Sequence, residues 1–144
     1  MSRRILVPVD GSPQSEAALD YVLDNHPDAQ VLLLHVLNPA STYTYGDDEY
    51  FDFEGYQAEA KRQHEHAEQL LGEYGETASE RGVDFETRLE TGKPAAKIIE
   101  TVEAEDIDHI VMGSRGRSGV GRVLFGSVAE TVTRRAPVPV TILR

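Results

Sequence analysis

The 144-residue chain contains no cysteine. That excludes a disulfide framework and a thiolate nucleophile, and it fits the reducing cytosol. Lysine is scarce, 3 against 11 arginines, while Asp and Glu number 25, for a formal net charge of −11. So acidic a chain repels a polyphosphate backbone, which argues against general nucleic-acid binding. Few lysines among many carboxylates suit a halophilic protein, since concentrated salt screens the self-repulsion; an ordinary acidic cytosolic protein has the same balance. No apolar run reaches membrane-spanning length, and the run after Arg3-Arg4 is too short for a secretory segment. The expectation is a cytoplasmic protein with no membrane and no nucleic-acid partner, folded as one domain over residues 1–144.

Several reaction classes lack their motif. Gly92-Lys93 is followed by Pro94, so there is no P-loop. Gly119-Val120-Gly121 lacks a third glycine and does not follow a first strand, so the dinucleotide fingerprint fails. His26, His35, His64, His66 and His109 form no zinc pattern, and His35, inside an apolar run, and His109, at the start of one, read as structural. No G-x-S-x-G elbow is present. The acidic, aromatic segment Tyr43–Tyr56 has no EF-hand pattern; it reads as a solvated loop, with a lid that stacks Tyr43 or Tyr45 on a base as the alternative.

What is present alternates. Arg4–Val9 and Gln30–Leu37 are apolar, β-branched runs that read as buried strands. Between them, Asp10-Gly11-Ser12-Pro13 supplies a turn, an N-cap and a Pro at the first helical position of a helix ending near Asn25. Tyr56 to Ala78 carries the stripe of a long helix, which Gly72 and Gly75 weaken. Val83–Glu90 alternates as an edge strand, and Pro94 opens a helix through Val102. His109–Met112 is a fourth strand, Ser127–Arg135 a fourth helix, and Val138–Leu143 a last strand confined to an edge by Pro139. Right-handed crossovers then give an α/β, flavodoxin-like (Rossmann-like) doubly wound parallel sheet of five strands, order 3-2-1-4-5, with helices on both faces.

Ligands in such a sheet bind beyond the carboxyl ends of the strands where the order reverses, here between strands 1 and 4. Pro8, Val9, Asp10 and Gly11 reach that point from one side, and Met112, Gly113 and the loop to Gly126 from the other. Charge converges on the same place. From Gly113 to Arg144 there are six arginines against Glu130 alone, a local +5 that leaves −16 on residues 1–112. Five glycines between Gly113 and Gly126 allow backbone N–H groups to approach an anion, and the next helix begins there. Ser127-Val128-Ala129-Glu130 also reads as a capping box, so Ser127 suits a cap, a phosphate contact, or both. Asp10, before Gly11-Ser12-Pro13, suits an Asx turn.

Gly113-x2-Gly116-x9-Gly126-Ser127 resembles the G-2x-G-9x-G-(S/T) motif of the ATP-binding branch of the universal stress protein family. RILVPVDGSPQSEAALDYV resembles that family's first strand, turn and helix, and the stretch from Asp108 to Arg144 its last two strands and loop. The likeness is weakest between Ser41 and Thr87. It implies an ATP-binding stress-response module, with Mg²⁺ possible at Asp10. Pro8, Val9 and Asp10 would lie near the adenine or ribose, and Val36 would meet adenine through its backbone. Met112, Gly113, Arg115 and Gly116 would follow the ribose and phosphates, and Gly126, Ser127 and Val128 would bind phosphate. The resemblance also implies a homodimer through the edge-strand residues Val138, Val140 and Ile142, and an unidentified protein partner. No base with an orienting partner is visible, so a sensor or store of ATP is preferred to a slow ATPase or a nucleotide-free scaffold.

Overall fold

The computed structural model of the chain describes residues 3–38, 53–114 and 126–144. Five parallel strands form one sheet in the order β3-β2-β1-β4-β5, as expected. They are β1 (Arg4–Pro8), β2 (Gln30–Leu37), β3 (Asp84–Thr91), β4 (His109–Gly113) and β5 (Val140–Leu143). The connecting helices are α1 (Pro13–Asn25), α2 (Phe53–Glu80), α3 (Pro94–Ala104) and α4 (Ser127–Arg135).

The period of two along each strand divides the core. Ile5, Val7, Val31, Leu33 and Val111 face α1 and α2, where Leu19, Val22, Leu71 and Ala78 cover them. Leu6, Leu32, Leu34, Ile110 and Met112 face α3 and α4, where Ile98, Val102, Ala129 and Val132 complete a second cluster. Strands buried on both faces must be apolar at consecutive positions, which is why β1 and β2 read as unbroken runs.

The ends of elements depart from the sequence reading, each for a local reason. The last strand begins at Val140, not Val138: Pro137 and Pro139 have no N–H to pair, and Pro139 enters the sheet only as an acceptor, through a 3.0 Å bond from Ile110 N. The third strand begins at Asp84, not Val83, because the Val83 N–H returns to Ala78 O (3.1 Å) while Gly82 N–H reaches Ser79 O (3.0 Å). That pair of bonds is a Schellman stop on α2, with Gly82 at φ 72°. Helix α2 begins at Phe53, inside the expected loop, and runs unbroken through Gly72 and Gly75. Gly75 has a packing reason to be there: a Cβ would stand 2.7 Å from Phe85 Cε2. The first half of α2 contains no buried residue; burial begins at Ala67. Residues 39–52, most of the Tyr43–Tyr56 segment, lie outside the described residues.

Candidate site at the carboxyl ends of the strands

β1 stops at Pro8, level with Leu34, whereas β2 continues to Leu37. One further bond joins them, Val9 N–H to Leu34 O at 2.8 Å. The chain then turns away at Asp10. Its carboxylate Oδ1 accepts the Ser12 N–H at 2.9 Å, so the Asx turn is formed. Ser12 caps α1 through its hydroxyl, which accepts the Ser15 N–H (3.1 Å), and Pro13 follows at the first helical position.

A buried hydroxyl network supports this turn from α2. Ser15 Oγ accepts the Asp10 N–H (3.3 Å) and donates to Ser12 O (3.1 Å). Tyr74, 6% exposed, lies 2.6 Å from the same oxygen and completes its bonding as donor. Burial pushes the Tyr74 hydroxyl above its ordinary value, which keeps that proton in place.

β2 presents backbone groups beyond the end of β1. In a parallel strand, successive residues direct their N–H and C=O to opposite neighbours. Leu34 O bonds toward β1, and Leu37 O bonds toward β3, accepting Gly92 N–H at 2.8 Å. Val36 therefore turns both its N–H and its C=O to the β1 side, past the residue where β1 ends, and neither has a backbone partner among the described residues.

On the other side of the switch point, β4 ends at Gly113, and α1 packs directly on it. A Cβ at Gly113 would lie 2.6 Å from Gln14 Cβ and 2.9 Å from the Gln14 carbonyl carbon. Next, Ser114 is buried; its N–H bonds Leu143 O (2.7 Å) and its C=O accepts Gly126 N–H (2.6 Å). The two ends of the glycine loop are thus tied together at the mouth of α4. Gly126 is the N-cap, with no side-chain capping bond, and the first helical bond runs from Glu130 N to Gly126 O at 3.0 Å. The N–H groups of Ser127, Val128 and Ala129 precede that bond and have no helical acceptor. The expected capping box is not formed: Ser127 is the first helical residue, and Glu130 pairs instead with Arg134 at 2.8 Å.

The structure brings Asp10, the Val36 backbone, Gly113, Gly126, Ser127 and Val128 to one end of the sheet. Met112 is there by backbone only, because its side chain is 5% exposed in the α3–α4 core, and Val9 is likewise buried by its side chain. Pro8 is half-buried. Arg115, Gly116 and the rest of loop 115–125 lie outside the described residues. Val138, Val140 and Ile142 are half-buried along the β5 edge, packed on the α3–α4 cluster. His35, read as structural, donates from Nδ1 to Val9 O at 2.6 Å; a lone histidine in an apolar run carries no sequence signal for that. The Tyr74–Ser15 link, between residues 59 apart, was equally invisible. Among the described residues there is no cluster of three or more His, Asp or Glu that could hold a metal, and no helix long and apolar enough to cross a membrane.

The model of the universal stress protein family matches residues 1–144. A Staphylococcus aureus (strain USA300) protein assigned to the universal stress proteins is 34% identical over 147 residues, covering 99% of this chain and 84% of its own. Among solved structures, the hypothetical protein MJ0577 superposes with a TM-score of 0.83 at 26% identity, covering 99% of this chain and 96% of that one. A universal stress protein in complex with cAMP gives 0.70 at 23% identity (99% and 97% covered). An Arabidopsis thaliana family protein with AMP bound gives 0.67 at 22% identity (98% and 90% covered).

Proposed function

Because the chain belongs to the universal stress protein family, we propose that it is an adenine-nucleotide-binding regulatory module whose ligand, ATP, lies across the β1/β4 switch point. One observation carries this reading. Val36 N–H and C=O, without a backbone partner among the described residues, share one end of the sheet with the first turn of α4, whose N-cap Gly126 makes no side-chain capping bond. A neighbouring N–H and C=O on one strand edge match the N1 acceptor and N6 donor of adenine, and with the ring held in the same orientation they mismatch guanine, which presents O6 and N1–H there. The N–H groups of Ser127 to Ala129, without a helical acceptor, and the helix dipole suit phosphate. The Ser127 hydroxyl, released from capping, adds a donor. The cAMP and AMP found on two structural neighbours support the same ligand class.

Each remaining residue has a place in this reading. Pro8, Val9 and Asp10 border the adenosine, and Met112, Gly113, Arg115 and Gly116 follow the ribose and phosphates. The Asp10 carboxylate, with Oδ1 on the Ser12 N–H, is the side chain offered to a ribose hydroxyl or Mg²⁺. No protein cage for Mg²⁺ exists among the described residues, so the ion would arrive on the phosphates. The chain acts by binding and by being recognised in the bound state. Two copies pair through β5, which covers Val138, Val140 and Ile142 and removes an exposed edge. The acidic, lysine-poor composition suits concentrated salt.

Calorimetric titration with ATP, with and without Mg²⁺, in dilute and molar KCl, tests the proposal. Saturable binding that Gly126→Val abolishes supports it. Gly126 sits at φ −63°, a backbone conformation valine accepts, so the variant obstructs the phosphate without backbone strain. No binding at either salt level refutes it.

A further inference from the structure

The adenine-reading edge exists because the β1–β2 ladder ends one bond early, and a side chain ends it. In a parallel ladder, a residue that donates to one partner carbonyl accepts from the N–H two residues further along the partner. Val9 donates to Leu34 O, so its C=O stands in line for the Val36 N–H. That bond is not made. The carbonyl is taken instead by the His35 side chain, Nδ1 to O at 2.6 Å. The acceptor is a carbonyl, so Nδ1 carries the proton and the tautomer is fixed.

Pro8 does not explain the early end, because it precedes Val9 and the Val9 N–H pairs normally. Nor does burial: the Val9 side chain remains in the α1–α2 core with Ile5 and Val7, so the strand path still holds there. The Asx turn at Asp10 redirects the chain only afterwards. What occupies the carbonyl at this rung is the imidazole.

We infer that His35 is a positioning residue of the nucleotide site: by capping the Val9 carbonyl it keeps the Val36 N–H out of the sheet and available to the base. The inference rests on the nucleotide reading for its purpose, but the strand-capping role stands on the hydrogen bonds themselves. It assigns a specificity function to a residue that need not touch the ligand. It also explains why an imidazole stands in an otherwise aliphatic strand.

Amide hydrogen exchange, read residue by residue by NMR on the ligand-free chain, is the direct test. In the wild type the Val36 amide exchanges at least about tenfold faster than those of Leu32 and Leu34, which lie inside the ladder. His35→Leu removes the donor at similar volume. The freed Val9 carbonyl then takes the Val36 N–H, exchange at Val36 slows toward that of Leu34, and ATP affinity falls about three- to tenfold, the worth of one net hydrogen bond. His35→Asn places an N–H donor where Nδ1 stood and restores both fast exchange and affinity. A Val36 amide as protected as Leu34 in the wild type overturns the inference. So does a His35→Leu protein whose Val36 still exchanges fast and whose ATP affinity is unchanged. If His35→Leu fails to fold, the wild-type comparison and the Asn variant still decide. If the wild type binds no ATP, the functional proposal fails while the exchange data judge the capping role separately.

Discussion

Three glycines that look alike in the sequence should respond to alanine in three different ways. At Gly113, the new Cβ would stand 2.6 Å from Gln14 Cβ, 2.9 Å from the Gln14 carbonyl carbon and 3.1 Å from its oxygen. Two of those atoms are backbone in the first turn of α1, and α1 is fixed by its Ser12 cap and by Leu19 and Val22 in the core. Relief requires moving the helix off β4, so Gly113→Ala should cost about 3 kcal/mol, the upper range for overpacking. For a chain of this length that lowers Tm by roughly 6–12 °C. At Gly72 an added methyl would meet nothing within 4 Å, and the residue lies on the exposed side of α2, so Gly72→Ala should gain about 1 kcal/mol. Gly75→Ala meets only the ring of Phe85, which is 38% exposed and free to swing outward. There the helix gain and the displaced ring should cancel to within about 1 kcal/mol. Urea melts on the three variants measure all of this. An unchanged midpoint for Gly113→Ala, or a loss at Gly72 as large as at Gly113, would refute the packing argument. Because α1 carries the Asp10–Ser12 turn, Gly113→Ala should also weaken ATP binding, whereas Gly72→Ala should not.

Ser127→Ala should change stability by less than about 0.5 kcal/mol, not the ~1 kcal/mol of a lost cap, because Ser127 stands inside α4, after the N-cap Gly126, and its hydroxyl makes no capping bond among the described residues; a larger drop in a thermal melt would show that Ser127 does cap α4. Tyr74→Phe should cost about 1 kcal/mol and loosen the Asp10 turn, read as a weaker ATP affinity; melts and calorimetry with neither change would disprove the link through Ser15. His109 is 8% exposed, with Nε2 2.8 Å from Thr141 Oγ1 and Nδ1 buried without a hydrogen-bond partner among the described residues. Burial first, then His26 and Arg3, hold its imidazole below the ordinary 6.5. The unfolded chain therefore takes up this proton more readily than the folded one. Its contribution to stability is complete above about pH 6.5 and is lost as pH falls toward the lowered folded value. His109→Gln should flatten that part of the stability–pH curve in urea melts, and an identical curve would remove His109 from the account.

The architecture was legible because it is written in periodicity. Strands covered on both faces must be apolar throughout, and Arg4 to Val9 and Gln30 to Leu37 could be nothing else at that length. The start of α1 was legible because Ser12 and Pro13 solve the problem of unpaired N–H groups in a way that leaves a local signature. Strand ends were less so. Where a ladder stops depends on which carbonyl a distant group reaches first, as with Val83 returning to Ala78 or His35 taking Val9. Ser127-x-x-Glu130 reads as a capping box, yet the Gly126 N–H bond to Ser114 places the cap one residue earlier. Gly113 was read for its freedom beside an anion. Its close approach to Gln14 involves residues far apart in the chain, and no local pattern announces it.

In the proposed reading, the Val36 edge and the first turn of α4, whose leading N–H groups have no backbone acceptor among the described residues, form one adenine-nucleotide site. A ¹H–¹⁵N NMR titration with ATP, and a parallel one with GTP, tests it most directly. One shared site gives saturable shifts of the Val36 amide together with those of Ser127, Val128 and Ala129 on adding ATP, and a much weaker response to GTP. Shifts confined elsewhere, or equal responses to both nucleotides at Val36, would contradict it.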